Sequence, residues 1–179
     1  PILLSGGVAL NCKMNYEILK SRPLLISPDP GDGGSSLGAA CAICLKKNNE
    51  VPYFSSPYIG YDITEDREIT QNINGLSIKR LESTSACCEV AGKLLAEGKT
   101  IGWAQSKSEF GPRALGNRSI LANPKNKDAQ LFVNKAVKFR EPFRPFAPAI
   151  LSQQIKDLFE TDGINLDLDN NPTNYMLVT

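Results

Sequence analysis

Residues 1–20, PILLSGGVALNCKMNYEILK, hold a short apolar run at Ile2–Leu4, a break at Ser5-Gly6-Gly7, and apolar residues at helical spacing from Val8 onward. That order predicts a strand, a glycine turn and a helix. The pattern repeats: Leu24–Ile26 is a second apolar run, SPDPGDGGSS (27–36) is rich in turn formers, and LGAACAICLKK (37–47) is a second helical stretch. Two successive strand–loop–helix units place this part of the chain in the α/β class. Residues 48–62, NNEVPYFSSPYIGYD, carry prolines and polar residues without a period and read as a linker. The expected domains are therefore 1–55 and 56–179, with the boundary near Ser55.

Beyond the linker, LSIKRLES (76–83) alternates apolar and polar residues as a half-buried strand would. SACCEVAGKLLAEG (85–98) suits an amphipathic helix closed by Gly98, and Lys99–Trp103 reads as another strand. Residues 125–139 are expected to be helical with Asp128 near the start, and FAPAIL (146–151) is a candidate strand. The tail INLDLDNNPTNYMLV is acidic in its middle and turns apolar at its last residues.

The bulk composition narrows the function classes. With 20 basic and 19 acidic residues, net charge gives no reason to expect nucleic acid or an anionic membrane as a general partner. No apolar stretch reaches 18 residues, and the first residues lack a signal-peptide pattern, so a cytoplasmic location without a membrane partner is expected. The five cysteines are an odd number without disulfide-framework spacing, and the Cys41/Cys44 pair is expected to be buried and structural. There is no histidine, which removes Ser-His-Asp and Cys-His mechanisms and HExxH zinc sites.

Charge is local rather than global. From Lys99 to Arg144 there are ten basic residues against Glu109, Asp128 and Glu141. Within that span KSEFGPRALGNRS (107–119) interleaves cations with Gly and Pro, so Gly111 and Gly116 let backbone approach a ligand while Arg113 and Arg118 can fork onto phosphate oxygens. A solvated basic face, or one that contacts RNA backbone, fits the composition equally. The loops SGGVALN and PGDGGSSLGAA each follow a strand and open a helix, where backbone N–H groups bind phosphate. Neither is a Walker loop or a dinucleotide fingerprint, so a turn alone also explains them. Asp32, between glycines, is a natural ligand for a divalent metal near a phosphate, or equally a turn or helix-cap aspartate.

Taken together, SGGVALN, GDGGSSLGAA, EFGPRALGNRSILANP and KFREPFRPFAP resemble, in order, motifs of the O-carbamoyltransferases that include nodulation protein U and the enzymes carbamoylating aminoglycoside and cephamycin antibiotics. The likeness runs through Ile150. It implies the end of an actin/Hsp70-like (ASKHA) domain followed by an incomplete YrdC-like α/β domain. It also implies that the latter joins ATP and carbamoyl phosphate into carbamoyl adenylate, and that the former transfers the carbamoyl group to an acceptor hydroxyl on a sugar, nodulation factor, polysaccharide or antibiotic. By motif position, Arg113, Lys138 and Arg144 would bind carbamoyl phosphate, with Lys107, Arg118, Ser119 and lastly Arg140 as further members. Arg140 is as well placed to pair with Glu141 or a nearby carbonyl. Gly6, Gly7, Asn11 and Gly33 would line the nucleotide, and Asp32 would ligate Fe(II), Mg(II) or another divalent ion.

The resemblance also implies two histidine metal ligands upstream of SGGVALN, and further basic and serine residues of the carbamoyl phosphate site beyond residue 179. The chain is accordingly expected to be a fragment that partners with other segments of the same protein. An alternative keeps the YrdC-like fold but uses it to bind RNA or to take part in tRNA threonylcarbamoyladenosine synthesis. GPRALGNRS behind an ASKHA-type segment favours the carbamoyltransferase.

Overall fold

The computed structural model describes residues 1–53, 56–63, 75–161 and 172–178. The chain forms two compact units. The first contains residues 1–60, 107–115 and 150–179, and the second residues 61–106 and 116–149. A single cut of the chain would separate segments that pack together, and Ser55 itself lies outside the described residues.

In the first unit, β1 (Ile2–Leu4) pairs in parallel with β2 (Leu24–Ile26), in the register Ile2↔Leu24, Leu3↔Leu25, Leu4↔Ile26. Parallel pairing requires a crossover, and α1 (Cys12–Leu19) supplies it. Because strand side chains alternate, Leu24 and Ile26 are buried with Ile2 and Leu4 packed on them, while Leu3 and Leu25 face outward. Ala9, Tyr175 and Leu177 complete this small core, against which Leu115 also packs. Buried Asn15 ties it together, donating from Nδ2 to the carbonyls of Ala9 and Leu177 at 2.8 and 2.7 Å. The 3-10 turn Pro172–Tyr175 brings that tail in; the acidic part of the tail lies outside the described residues. A second helix, α2 (Gly34–Asn48), starts at the glycine loop and ends at Asn49, whose left-handed φ of 56° stops it. It buries no residue completely, so Cys41 and Cys44, expected from the sequence to be buried and structural, are half-buried free thiols.

In the second unit, α3 (Thr84–Ala96) is capped by Ser83, whose side chain accepts from the Ala86 N–H, and terminates at Gly98 with φ +81°. It leads into β3 (Ile101–Ala104), which pairs antiparallel with β4 (Arg118–Leu121). That second strand begins inside the basic motif, where none was expected. Three expected elements are corrected. LSIKRLES and FAPAIL do not form strands, because alternation alone makes no strand without a partner edge. The helix expected over 125–139 is only α4 (Ala129–Phe132) followed by a π turn, Val133–Val137, after which Phe139 turns left-handed at φ +48°. Asn134 inside the π turn is fully buried and spends its side chain on the following loop. The last short helix, α5 (Ile155–Leu158), lies in the first unit. Among the described residues no helix is long and apolar enough to cross a membrane.

Candidate functional site

Two features of the first unit carry polar chemistry. One is a cavity of about 430 Å³ where the ends of β1 and β2 meet the start of α2, lined by Ser5, Ser27, Asp29, Gly31, Ser35, Gly38 and Cys41. Gly6 (φ +89°) donates its N–H to the Pro30 carbonyl at 2.7 Å, joining the two glycine loops, and Gly7 opens the 3-10 turn Gly7–Leu10. Asn11 is the N-cap of α1, accepting from the Met14 N–H at 3.2 Å, so its side chain serves the helix. Gly33 is explained by Asp29. A Cβ at Gly33 would fall 2.1 Å from Asp29 Oδ2, and one at Gly34 would fall 2.0 Å from the Asp29 carbonyl. The loop thus closes around the Asp29 carboxylate, which also accepts from the Gly31 N–H at 3.2 Å. Sequence reasoning chose Asp32 and missed Asp29. The signal was present as glycines at 31, 33 and 34, but which aspartate they enclose depends on the fold.

Asp32 is exposed beside this cavity. Among the described residues no group of three His, Cys, Asp or Glu could hold a metal ion. The described residues alone therefore do not make a divalent-metal centre around Asp32.

The second feature is the loop 107–115. Its neighbours are residues 57–60, which the sequence suggested were mere linker. Phe110 N–H donates to the Pro57 carbonyl at 2.7 Å, Gly60 N–H to the Ser108 carbonyl at 3.0 Å, and the Tyr58 hydroxyl to the Leu115 carbonyl at 2.8 Å. Glu109 Oε1 accepts from the Leu115 N–H at 2.6 Å, so one side chain closes the loop across six residues. Gly111, at φ +114°, lies so close to Pro28 that an added Cβ would sit 2.7 Å from its carbonyl oxygen. Burial, and secondarily the Glu109 carboxylate, push the Tyr58 phenol above its ordinary pKa and keep it a donor. Arg113, half-buried, donates from Nη2 to the Leu10 carbonyl at 3.2 Å and toward Cys12 Sγ at 3.6 Å, while its Nε is enclosed without a hydrogen-bond partner. Lys107 is exposed.

The remaining expected site residues lie in the second unit. Arg118 is committed to backbone: its Nη1 donates to the carbonyls of Gln105 and Asn117, both at 2.7 Å, and its Nη2 to those of Tyr61 and Ser106 at 3.0 and 3.1 Å. Ser119 Oγ accepts from the Gly116 N–H at 3.0 Å. These bonds pin the entry of β4 rather than leaving both side chains open to a ligand. Lys138 and Arg144 are exposed, with Arg144 loosely paired to Glu141 at 3.9 Å. Arg140 does not pair with Glu141 in this way; its Nε donates to Asn134 Oδ1 at 2.7 Å and its guanidinium lies 4.8 Å from the centre of the Phe146 ring. Buried Asn134 in turn donates to the carbonyls of Pro142 at 3.1 Å and Arg144 at 2.9 Å. It shapes the loop that carries Lys138 and Arg144, and nothing in its sequence context marks it.

The chain is similar to known proteins at both ends. A model of the carbamoyltransferase N-terminus matches residues 2–41, taking in both glycine loops, and one of the carbamoyltransferase C-terminus matches residues 92–179, taking in 107–119 and 138–148. The nodulation protein NolNO of Sinorhizobium fredii is 38% identical over 169 residues, covering 88% of this chain and 24% of that protein. An uncharacterized protein of Synechocystis sp. is 35% identical over 189 residues, covering 99% of the chain and 29% of the relative. Nodulation protein U of Azorhizobium caulinodans is 34% identical over 164 residues, covering 89% and 27%. The chain thus spans between about a quarter and three tenths of the length of these curated relatives. With both segments matched in order, the chain belongs to the carbamoyltransferase family.

Proposed function

We propose that this chain serves an O-carbamoyltransferase in which water displaces inorganic phosphate from carbamoyl phosphate, an oxygen of the resulting carbamate attacks the α-phosphorus of ATP as pyrophosphate leaves, and the carbamoyl carbon of the carbamoyl adenylate so formed is then attacked by an acceptor hydroxyl. The hydroxyl gives up its proton and AMP leaves. The observation that carries this is the coincidence of each family segment with one polar feature: the cavity at the glycine loops in the first, and the cation-bearing loops in the second. The parent folds would be ASKHA-type and YrdC-like.

Arg113, Lys138 and Arg144 are assigned to carbamoyl phosphate. Fixed cations hold a polyanion and offset the charge that develops during transfer, usually the largest catalytic contribution. Gly6, Gly7 and Gly33 are assigned to the nucleotide, whose phosphates suit backbone N–H groups at the start of a helix. Asn11 and Arg118 act in support, as a helix cap and a clamp on the entry of β4. The acceptor is a hydroxyl compound of the sugar, oligosaccharide or antibiotic class.

The test is pyrophosphate release from ATP, measured in a full-length relative that carries this chain's residues over the matched segment. Release that requires carbamoyl phosphate, and falls at least tenfold in Arg113→Ala, is expected. Unchanged release in Arg113→Ala would remove the assignment. Salt-sensitive tRNA binding without any carbamoyl phosphate dependence would favour an RNA-binding role instead.

A further inference from the structure

The loop 107–115 uses an unusual way of fixing one residue. Leu115 lies in no helix or strand, yet its side chain and both of its backbone polar groups are engaged: the N–H by Glu109, the carbonyl by the Tyr58 hydroxyl, and the side chain by the hydrophobic core. Arg113 sits two residues before it, and Gly111, two residues further back, is pressed against the Pro28 carbonyl. The backbone on either side of Arg113 is thus anchored, and the 2.6 Å bond to a carboxylate is of the short, charge-assisted kind.

We propose that Glu109 and Tyr58 are positioning residues for Arg113, acting through the Leu115 peptide groups to aim its guanidinium at carbamoyl phosphate. This rests on the assignment of Arg113 to that substrate. Two observations favour positioning over simple loop closure. The pair lies 51 residues apart in sequence yet meets on a single residue of the loop. Moreover, the bonds of half-buried Arg113 both leave from Nη2, to the Leu10 carbonyl at 3.2 Å and toward Cys12 Sγ at 3.6 Å, so the direction of the guanidinium is fixed without all of its donors being spent. Loop closure alone has no use for the rest. An arginine that is to grip a phosphate by its planar fork must have its approach set in advance, because each rotamer left free dilutes the productive one.

A double-mutant cycle on carbamoyl phosphate affinity tests this, measured by titration calorimetry on a full-length relative that carries this chain's residues over the matched segment, with folding checked by circular dichroism. Arg113→Ala is expected to weaken binding roughly tenfold, about 1.4 kcal/mol, and Glu109→Ala nearly as much. Glu109→Gln, which keeps an acceptor in place, should recover most of the loss. The decisive result is coupling: Glu109→Ala combined with Arg113→Ala should bind no more weakly than Arg113→Ala alone. Additive losses, or wild-type affinity in Glu109→Ala, overturn the positioning role while leaving Arg113 as a ligand. Wild-type affinity in Arg113→Ala, or no binding by the unmodified full-length protein, overturns the substrate assignment itself and the positioning role with it. If Glu109→Ala does not fold, Tyr58→Phe, which removes a single bond, takes its place in the same cycle.

Discussion

The two loops assigned to carbamoyl phosphate are built on opposite plans. In 107–115 the cation is part of the architecture: Arg113 is half-buried, tied to the Leu10 carbonyl, and flanked by backbone that Glu109 and Tyr58 clamp. In 138–146 a neutral residue provides the architecture: buried Asn134 holds the carbonyls of Pro142 and Arg144 and the Nε of Arg140, while Lys138 and Arg144 remain at the surface. A cation embedded in the fold gains precision and couples binding to stability. A surface cation on a pre-shaped loop can be lost with little effect on the fold.

That contrast orders the expected effects of mutation. The largest belongs to Asn134→Ala, which removes three side-chain bonds from a fully buried position and leaves the Pro142 and Arg144 carbonyls to the longer bonds from Gln130; about 3 kcal/mol of stability should go. Denaturant unfolding followed by Trp103, in the same compact unit, reads this directly. A loss below about 0.5 kcal/mol, the range of an ordinary surface change, would mean that Asn134 is not the keystone of its loop. Gly111→Ala should follow at about 2 kcal/mol, since φ +114° is strained for alanine and the Pro28 carbonyl blocks its Cβ. Thermal unfolding by circular dichroism checks it, and an unshifted midpoint would show that the loop has another conformation available.

A third comparison sets the two arginines side by side. Arg113→Ala should cost about 1 kcal/mol of stability through its bond to Leu10 and its packing, whereas Arg144→Ala should cost less than about 0.5 kcal/mol, because its pair with Glu141 is long and both partners are about half exposed or more. Carbamoyl phosphate affinity should fall in both. Equal stability losses would erase the distinction between embedded and surface cations.

Much of the scaffold was legible in the sequence because it rests on local signals. Ile2–Leu4 and Leu24–Ile26 announced β1 and β2 by apolar runs ending in turn formers, and Gly98 announced the end of α3. The sequence also singled out 107–119 and the glycine loops as chemically special. The agents that shape them were not legible. Asp29 is defined by glycines that fold over it, Tyr58 by a loop 57 residues downstream, and Asn134 by carbonyls eight and ten residues on. Such roles depend on distant backbone groups and leave no period or composition to detect. The same cause explains β4, whose RSIL reads as the end of an anion loop until β3 is placed against it.

The smallest effect concerns Tyr58 and probes the clamp without touching a cation. Its phenol is raised above the ordinary value of 10.0 in the folded chain, first by burial and then by the Glu109 carboxylate. The sign follows from linkage. The unfolded chain loses this proton at lower pH than the folded chain does, so the stabilising contribution of neutral Tyr58 is complete below pH 10 and is lost as pH rises through the higher folded value. The stability of the wild type should therefore decline as pH rises above 10.0 slightly more steeply than that of Tyr58→Phe, which lacks the titrating group but keeps the ring. Every other ionisable group is common to both proteins and cancels in the difference. Parallel curves would mean that the hydroxyl contributes nothing through its neutral form, and the bond to the Leu115 carbonyl would lose its place in the clamp.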